Sequence, residues 1–219
     1  MIFNNDQTAL LDEMYHDYLY TIKPLISEIE INYEKFPTPI YNEIRSYNDH
    51  IARCYTDDGK SSPQYVDEQL KKARSHINRI ILDCYKFLNV FYSDKINEFA
   101  KRTKRIDLQA ISNGDFYIEY KKKVETARKS LLEAKRWEYQ SIKNKDYDKY
   151  QDAYNNYVDV YDYINANMTA VMWARAKFWR SKLLTVLFAI GTFIGGLIVE
   201  YHFPSLWERV LEFIGNMGK

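Results

Sequence analysis

Seventeen consecutive residues, Leu183 to Val199 (LLTVLFAIGTFIGGLIV), carry no charge, and Lys182 and Glu200 bracket them. A helix of that length rises roughly 25 Å, slightly short of the hydrocarbon core of a typical bilayer. The two bracketing charges can snorkel to the headgroups, and Trp179 on one side and Tyr201 to Phe203 on the other can complete the span as interfacial anchors. A run of this length also fits the buried core helix of a soluble protein. The lack of polar alternation and the cationic and aromatic flanks favour the membrane, so the segment is read as a transmembrane helix.

The residues leading into the span carry the clearest periodic signal in the chain. Tyr147, Tyr150, Tyr154, Tyr157, Tyr161, Ile164, Met168 and Val171 are spaced alternately by three and four, the a/d pattern of helix-on-helix packing. The same register runs on through Arg175, Phe178, Lys182, Thr185, Ala189, Thr192, Gly196 and Val199. It predicts one helix from Tyr147 to Val199 whose packing face in water is also its packing face in the membrane. Two readings of the tyrosine seam stand side by side. Either Tyr147, Tyr150, Tyr154, Tyr157 and Tyr161 join subunits of a homo-oligomer, or they cover helices of their own chain. Tyrosine at a and d is unusual for a strong coiled coil and suits a wet or ligand-bearing one.

Within the span, Thr185, Ala189, Thr192 and Gly196 make that face small or weakly polar, and Gly191 and Gly195 form a GxxxG beside it. Such a surface favours close approach of neighbouring helices, or tolerates water in a pore. Arg175 and Lys182 interrupt the seam where it meets the membrane. In a symmetric oligomer they form rings of positive charge; the plainer alternative is that they bind lipid headgroups.

The chain of 219 residues leaves about 180 for a soluble domain, enough to bury a core. Thirty-one basic against thirty acidic residues give a net charge of +1, which excludes a global field aimed at nucleic acid; any anion site must be local. Cys54 and Cys84 show neither metal-knuckle nor disulfide spacing and fit a reducing cytosol. The N-terminus, MIFNNDQTALLDE, has no basic segment followed by an apolar one, so it does not read as a signal peptide. Arg175, Lys177, Arg180 and Lys182 precede the span and only Arg209 and Lys219 follow it, which by the positive-inside rule puts the N-terminal domain in the cytoplasm and the C-terminus outside. Heavy use of Lys, Asn, Ile and Tyr resembles the output of an AT-rich bacterial genome, and the expected location is a bacterial inner (cell) membrane.

Upstream, the expectation is all-α. Apolar residues recur at helical spacing from Asp6 to about Lys35, with Pro24 dividing or kinking the helix. Phe36 to Pro39 breaks the chain, with Thr38 as the next N-cap and Pro39 at the first helical position. Asp57 to Pro63 is loop-like, and Ser62-Pro63 opens a long third helix that ends near the basic run Lys101 to Arg105. A short helix over Ile106 to Ile111 is followed by Ser112-Asn113-Gly114, with Asp115 as the next N-cap. A further helix from Phe116 meets a polar interruption at Lys143 to Asp146. No period-two alternation predicts strands. After the span, Pro204 and Ser205 begin an amphipathic segment with Leu206, Trp207, Val210, Leu211, Phe213 and Ile214 on one side, read as an interfacial helix. The domain reading is therefore a cytoplasmic helical domain over 1–145, a seam or stalk helix over 146–182, the transmembrane helix over 183–200 and an interfacial segment over 201–219.

The chemistry is sparse. Glu13-Met-Tyr-His16 is a Glu-x-x-His, but di-iron bundles need it twice, so a surface Glu and His is the better reading. No nucleophile elbow, glycine-rich phosphate loop or Cys-x-x-Cys is present, and neither catalysis nor a cofactor is expected. The basic groups Lys71-Lys72-Arg74, Lys101-Arg102-Thr103-Lys104-Arg105 and Lys121 to Lys123 are usually solvated faces; near Tyr and Trp they can also bind a nucleotide or a short single strand. Arg175, Lys182, Lys101, Arg102, Lys104 and Arg105 are the anion-binding candidates.

In layout, the chain resembles the membrane effectors of bacterial anti-phage systems, including the Hailong type, in which a helical cytoplasmic domain holds a transmembrane channel shut until a nucleic-acid signal changes. The resemblance covers arrangement and carries no functional residue over. It implies an oligomeric gated pore; the alternative is a tail-anchored scaffold or tether. A wetted Thr185, Ala189, Thr192 and Gly196 stripe belongs to the pore, and a tightly packed one to the tether.

Overall fold

The computed structural model describes residues 3–58, 62–140, 147–202 and 204–217. Among them no strand occurs, and the protein is all-α. The expected loop around Gly59 to Ser61 and the polar interruption at Lys143 to Asp146 lie outside the described residues.

Helix α1 (Asn5–Asp17) opens on a capping box: Asn4 Oδ1 accepts from the Gln7 backbone N–H, and the Gln7 side chain accepts from the Asn4 N–H, each at 2.9 Å. It continues through a π-helical turn (Tyr18–Ile22) into α2 (Lys23–Tyr33). The wide turn sits directly before Pro24, whose ring nitrogen has no proton to give an α-helical ladder, so the proline divides the helix as the sequence predicts. Helix α3 (Thr38–Arg53) has Pro37 as its N-cap, one residue earlier than expected. Helix α4 (Pro63–Thr103) is the spine. Ser62 caps it by accepting from the Tyr65 N–H, and apolar residues at Val66, Leu70, Ala73, Ile77, Ile80, Ile81, Cys84 and Leu88 bury one stripe.

At the far end of α4 the chain reverses through two 3-10 turns (Leu108–Ala110 and Ser112–Gly114). Asp107 caps the first, and Ser112, Asn113 and Gly114 all adopt positive φ. The reversal launches α5 (Asp115–Gln140), and α5 pairs with α6 (Asp148–Ala166), which also lies on α4. Two cores result. One joins α1, α2, α3 and α4 as far as Leu88, and takes in Ala134 of α5 and Tyr150 of α6; the other joins the end of α4, the turns, α5, α6 and the first turns of α7 (Met168–His202). Beyond it lies α8 (Pro204–Met217), where Val210, Leu211, Phe213 and Ile214 are exposed; the side chains of Leu206 and Trp207 lie outside the described residues.

One expectation about the seam needs correction, and one of its two readings describes the packing within the chain. First, the helix is not continuous: α6 ends at Ala166, Asn167 leaves the helical basin (φ −102°, ψ 6°) with its side-chain amide donating to the Tyr163 carbonyl, and α7 starts afresh. Second, the tyrosines are used inside the chain. Tyr150 and Tyr157 are only 3% exposed, and Tyr147 and Tyr154 pack against the first core. Tyr154 lies 5.4 Å from the Tyr85 ring and Tyr161 lies 5.3 Å from Tyr92, both on α4. Within the chain, the seam residues Tyr147, Tyr150, Tyr154, Tyr157 and Tyr161 form an intramolecular ladder, the second of the two readings of the seam. Tyrosine suits this place because its hydroxyl finds acids on adjoining helices. Glu28 accepts from Tyr92 and Tyr154 at 2.6 and 2.7 Å, and Glu138 accepts from Tyr150 at 2.6 Å.

Candidate functional site: a basic cleft at the foot of the span

Among the described residues, helix α7 meets the body through its first turns, where Val171 and Ala174 enter the second core. From Lys177 to Tyr201 only Phe178 is even half-buried, and Leu183 to Glu200 is exposed on every side. By length and composition α7 is able to cross a membrane.

The place where α7 leaves the bundle is also where the basic run arrives. Helix α4 ends at Thr103, whose buried hydroxyl donates back to the Phe99 carbonyl at 2.8 Å, and the Ile106 N–H donates to the Thr103 carbonyl at 2.9 Å. That tight exit turns Lys101, Arg102, Lys104 and Arg105 toward the first turns of α7. Together with Arg175, Ile106, Phe178 and Trp179 they line a cleft of about 320 Å³. Arg102 pairs with Glu98 one turn back. Among the described residues, Lys101, Lys104, Arg105 and Arg175 have no acidic partner within ion-pair distance. An adjoining cleft of about 370 Å³ shares Arg102, Ile106 and Arg175 and runs inward between Phe99, Tyr161, Ile164, Met168 and Met172. The combined site is amphipathic, with cations at the mouth and apolar side chains behind.

Cations at the end of α4 offset the negative pole of its dipole, which is reason enough for some of them. It does not account for Arg175, which comes from a helix that begins 65 residues later. Lys182, grouped with Arg175 in the sequence, does not line the cleft; it stands about two turns beyond Arg175, with its ammonium 5.9 Å from the Phe178 ring centre.

The other basic groups are elsewhere. Lys72 and Lys101 lie on one helix, 29 residues and so about 43 Å apart along it, too far for a single small ligand. Lys71 and Lys72 border an open groove with His50, His76 and Arg79, while Arg74 is held by Glu13 at 2.9 Å and by Asp17. In that groove the His50 and His76 rings stack at 5.2 Å, His50 Nδ1 shares a hydrogen bond with Gln69, and His76 Nδ1 shares one with Glu43. Lys123 donates to Asp159 at 2.6 Å, and this bond raises its ammonium above the ordinary lysine range. Lys121 borders a third cleft with Lys104, Arg128, Tyr117 and Tyr120 on the α5 side of the same turn. Of the Glu13-x-x-His16 pair, Glu13 is engaged with Arg74 and the His16 ring leans on Tyr20 at 4.6 Å.

Around α7, at about 100° per residue, Thr185, Ala189, Thr192 and Gly196 fall within roughly 60° of Val171, on the side of the bundle. Gly191 and Gly195 fall about a quarter turn further round. Thr185 and Thr192 donate their hydroxyls to the Ser181 and Ala189 carbonyls at 2.9 Å, so neither needs water for its proton. A Cβ added at Gly191, Gly195 or Gly196 would meet nothing within 4 Å.

What sequence reasoning missed is the inner, apolar half of the cleft. Tyr161 and Met168 read as seam positions, and no local signal marks Phe99 or Met172 as neighbours of Arg175. Comparisons with known proteins leave this geometry as the guide to function: no family model, no curated protein and no solved structure matches the chain.

Proposed function

We propose that the protein is a membrane effector of the bacterial cell membrane: its helical bundle faces the cytoplasm, its single span assembles with copies of itself into a gated pore, and an anionic ligand in the basic cleft controls the gate. The observation that carries this reading is the state of α7. Among the described residues, the apolar run of α7 from Leu183 to Val199 is exposed on every side, so its packing surfaces are available to lipid or to other spans. The glycines support the second choice, since nothing within the chain approaches them and close approach by a neighbouring helix is what a membrane GxxxG permits. Two small faces a quarter turn apart suit a closed ring, in which each helix meets two neighbours. A place in anti-phage defence rests on layout alone.

The tether reading keeps one specific observation in its favour: the tyrosine seam is spent inside the chain, which removes one surface for assembly in water. Planar-bilayer recordings of the purified protein, with and without short oligonucleotides, separate the two. The pore reading expects conductance that Thr192→Leu abolishes while assembly is retained. Wild-type protein that conducts nothing in either condition makes the tether the answer. Orientation is tested in intact cells, where an impermeant thiol reagent should label Asn216→Cys and spare Asp57→Cys.

A further inference from the structure

We infer that the basic cleft takes the phosphate headgroup of an anionic phospholipid from the bilayer that α7 crosses, and so clamps the end of α4 to the foot of the span. The inference rests on the membrane reading of α7 and names the anion left open above; it does not depend on assembly.

The depth of the cleft favours a lipid. Trp179 lies four residues before Leu183 and Arg175 eight, about 6 and 12 Å from the apolar run along a straight helix. The headgroup layer on one side of a bilayer is about 5 to 8 Å thick. Trp179 and Phe178 therefore sit within it, at the level of interfacial aromatic residues, and Arg175 lies just above, within reach on its long side chain. The four cations from the end of α4 stand at the same level because they share the cleft with Arg175.

The chemistry agrees with the depth. The cluster carries five positive charges and one engaged acid, Glu98, so it bears a large local charge in a chain whose total is only +1. Arginine is the side chain best matched to phosphate, by its forked donors, and three of the five are arginine. All five are exposed, and cations at that level each add roughly fivefold to partitioning onto an anionic surface. The apolar recess behind Arg102 and Arg175, lined by Phe99, Ile164 and Met172, gives the adjoining glycerol and upper acyl carbons a surface to lie on. A bound headgroup would bridge two elements far apart in sequence, and its loss would free α7 to change its tilt relative to the bundle.

The test uses the full-length protein in neutral detergent, with phosphatidylglycerol or phosphatidylcholine added in equal amounts and retained lipid counted by native mass spectrometry. The expected result is at least tenfold preference for phosphatidylglycerol in the wild type. Lys104→Gln combined with Arg105→Gln and Arg175→Gln should lose that preference, and Lys71→Gln combined with Lys72→Gln and Lys122→Gln should keep it. Equal retention of the two lipids by the wild type overturns the inference without reference to any variant. So does a preference that the cleft variant keeps while its helical circular dichroism is unchanged. Retention of ATP or a short oligodeoxynucleotide in place of phosphatidylglycerol, lost in the cleft variant, assigns the site to a soluble phosphate instead. Carbonate extraction of membranes from the expressing cells separates this from failure of the span: release of the protein removes the membrane reading itself, whereas an integral protein without lipid preference loses only the lipid site.

Discussion

Glu28 is the residue on which the most distant parts of the bundle converge. Its half-buried carboxylate accepts from Tyr92 on α4 and Tyr154 on α6 while belonging to α2, so one side chain ties three helices. Glu28→Ala leaves two partly buried hydroxyls without their acceptor, and the expected cost is about 2 to 4 kcal/mol by denaturant titration of the full chain in detergent. Glu28→Gln keeps an acceptor and should cost less than half as much. A cost below about 0.5 kcal/mol for the alanine variant would mean that water replaces the carboxylate freely. The same tyrosines give the bundle an alkaline limit. Burial, with smaller contributions from the charges of Tyr147, Cys84, Asp148 and Glu28, pushes Tyr85 from 10.0 up to about 12. Burial, then the bonds to Glu28 and Glu138, pushes Tyr92, Tyr154 and Tyr150 up as well. The folded state holds these protons more tightly than the unfolded chain does, so their contribution is complete below pH 10 and is lost as pH rises toward 12, on the order of 2 kcal/mol from Tyr85 alone. Circular dichroism and phenolate absorbance followed together from pH 9 to 12.5 should show the last phase of tyrosine ionisation coinciding with unfolding. Ionisation complete near pH 10 with the helices intact would contradict this.

Among the elements, the joint between α6 and α7 decides how α7 is set against the bundle. Asn167 ends one helix and its carbonyl starts the next, accepting from the Val171 N–H at 3.1 Å. The phase of α7 is then fixed by Val171 and Ala174 in the second core, and that phase brings Arg175 to the Lys101–Arg105 run. Inserting one alanine after Asn167 turns α7 by about 100°. A bismaleimide bridge between cysteines at Ile106 and Arg175 should form in the parent and fall at least fivefold with the insertion. A bridge that survives would mean that the joint is slack and that the cleft is not set by helix phase. Both native thiols are suited to such experiments. Cys54 and Cys84 are buried, and burial pushes the Cys84 thiol up to about 12 and raises Cys54 as well, so neither competes for the reagent at neutral pH.

For the molecule as a whole, the distribution of exposed apolar surface separates intramolecular from intermolecular packing. The tyrosine face of α6 is consumed by α4 and α5, whereas Thr192 and its neighbours on α7 are exposed. Cysteine at Thr192 should therefore crosslink between copies in native membranes, and cysteine at Tyr157 should not. Crosslinking at Tyr157 equal to that at Thr192 would require the bundle to open in the assembly, and the ladder to be exchanged between chains.

Much of this architecture is written locally. The all-α class, the apolar run, the start of α4 at Ser62-Pro63 and its end among cations each follow from a few adjacent residues, because capping, proline geometry, periodicity and helix-dipole electrostatics act within one or two turns. The tyrosine register was equally legible, and it named a packing face correctly. A periodicity specifies a face but not the partner that covers it, and here the partners are α4 and α5, joined to α6 by contacts across tens of residues. The cleft shows the same division. Its cations were visible as two separate groups, but only the reversal through Ser112, Asn113 and Gly114 and the break at Asn167 set them against each other. The sequence by itself determined which surfaces seek burial and which carry charge. The tertiary structure decided which of those surfaces meet within the chain, because it alone fixes the directions in which α4 ends and α7 departs.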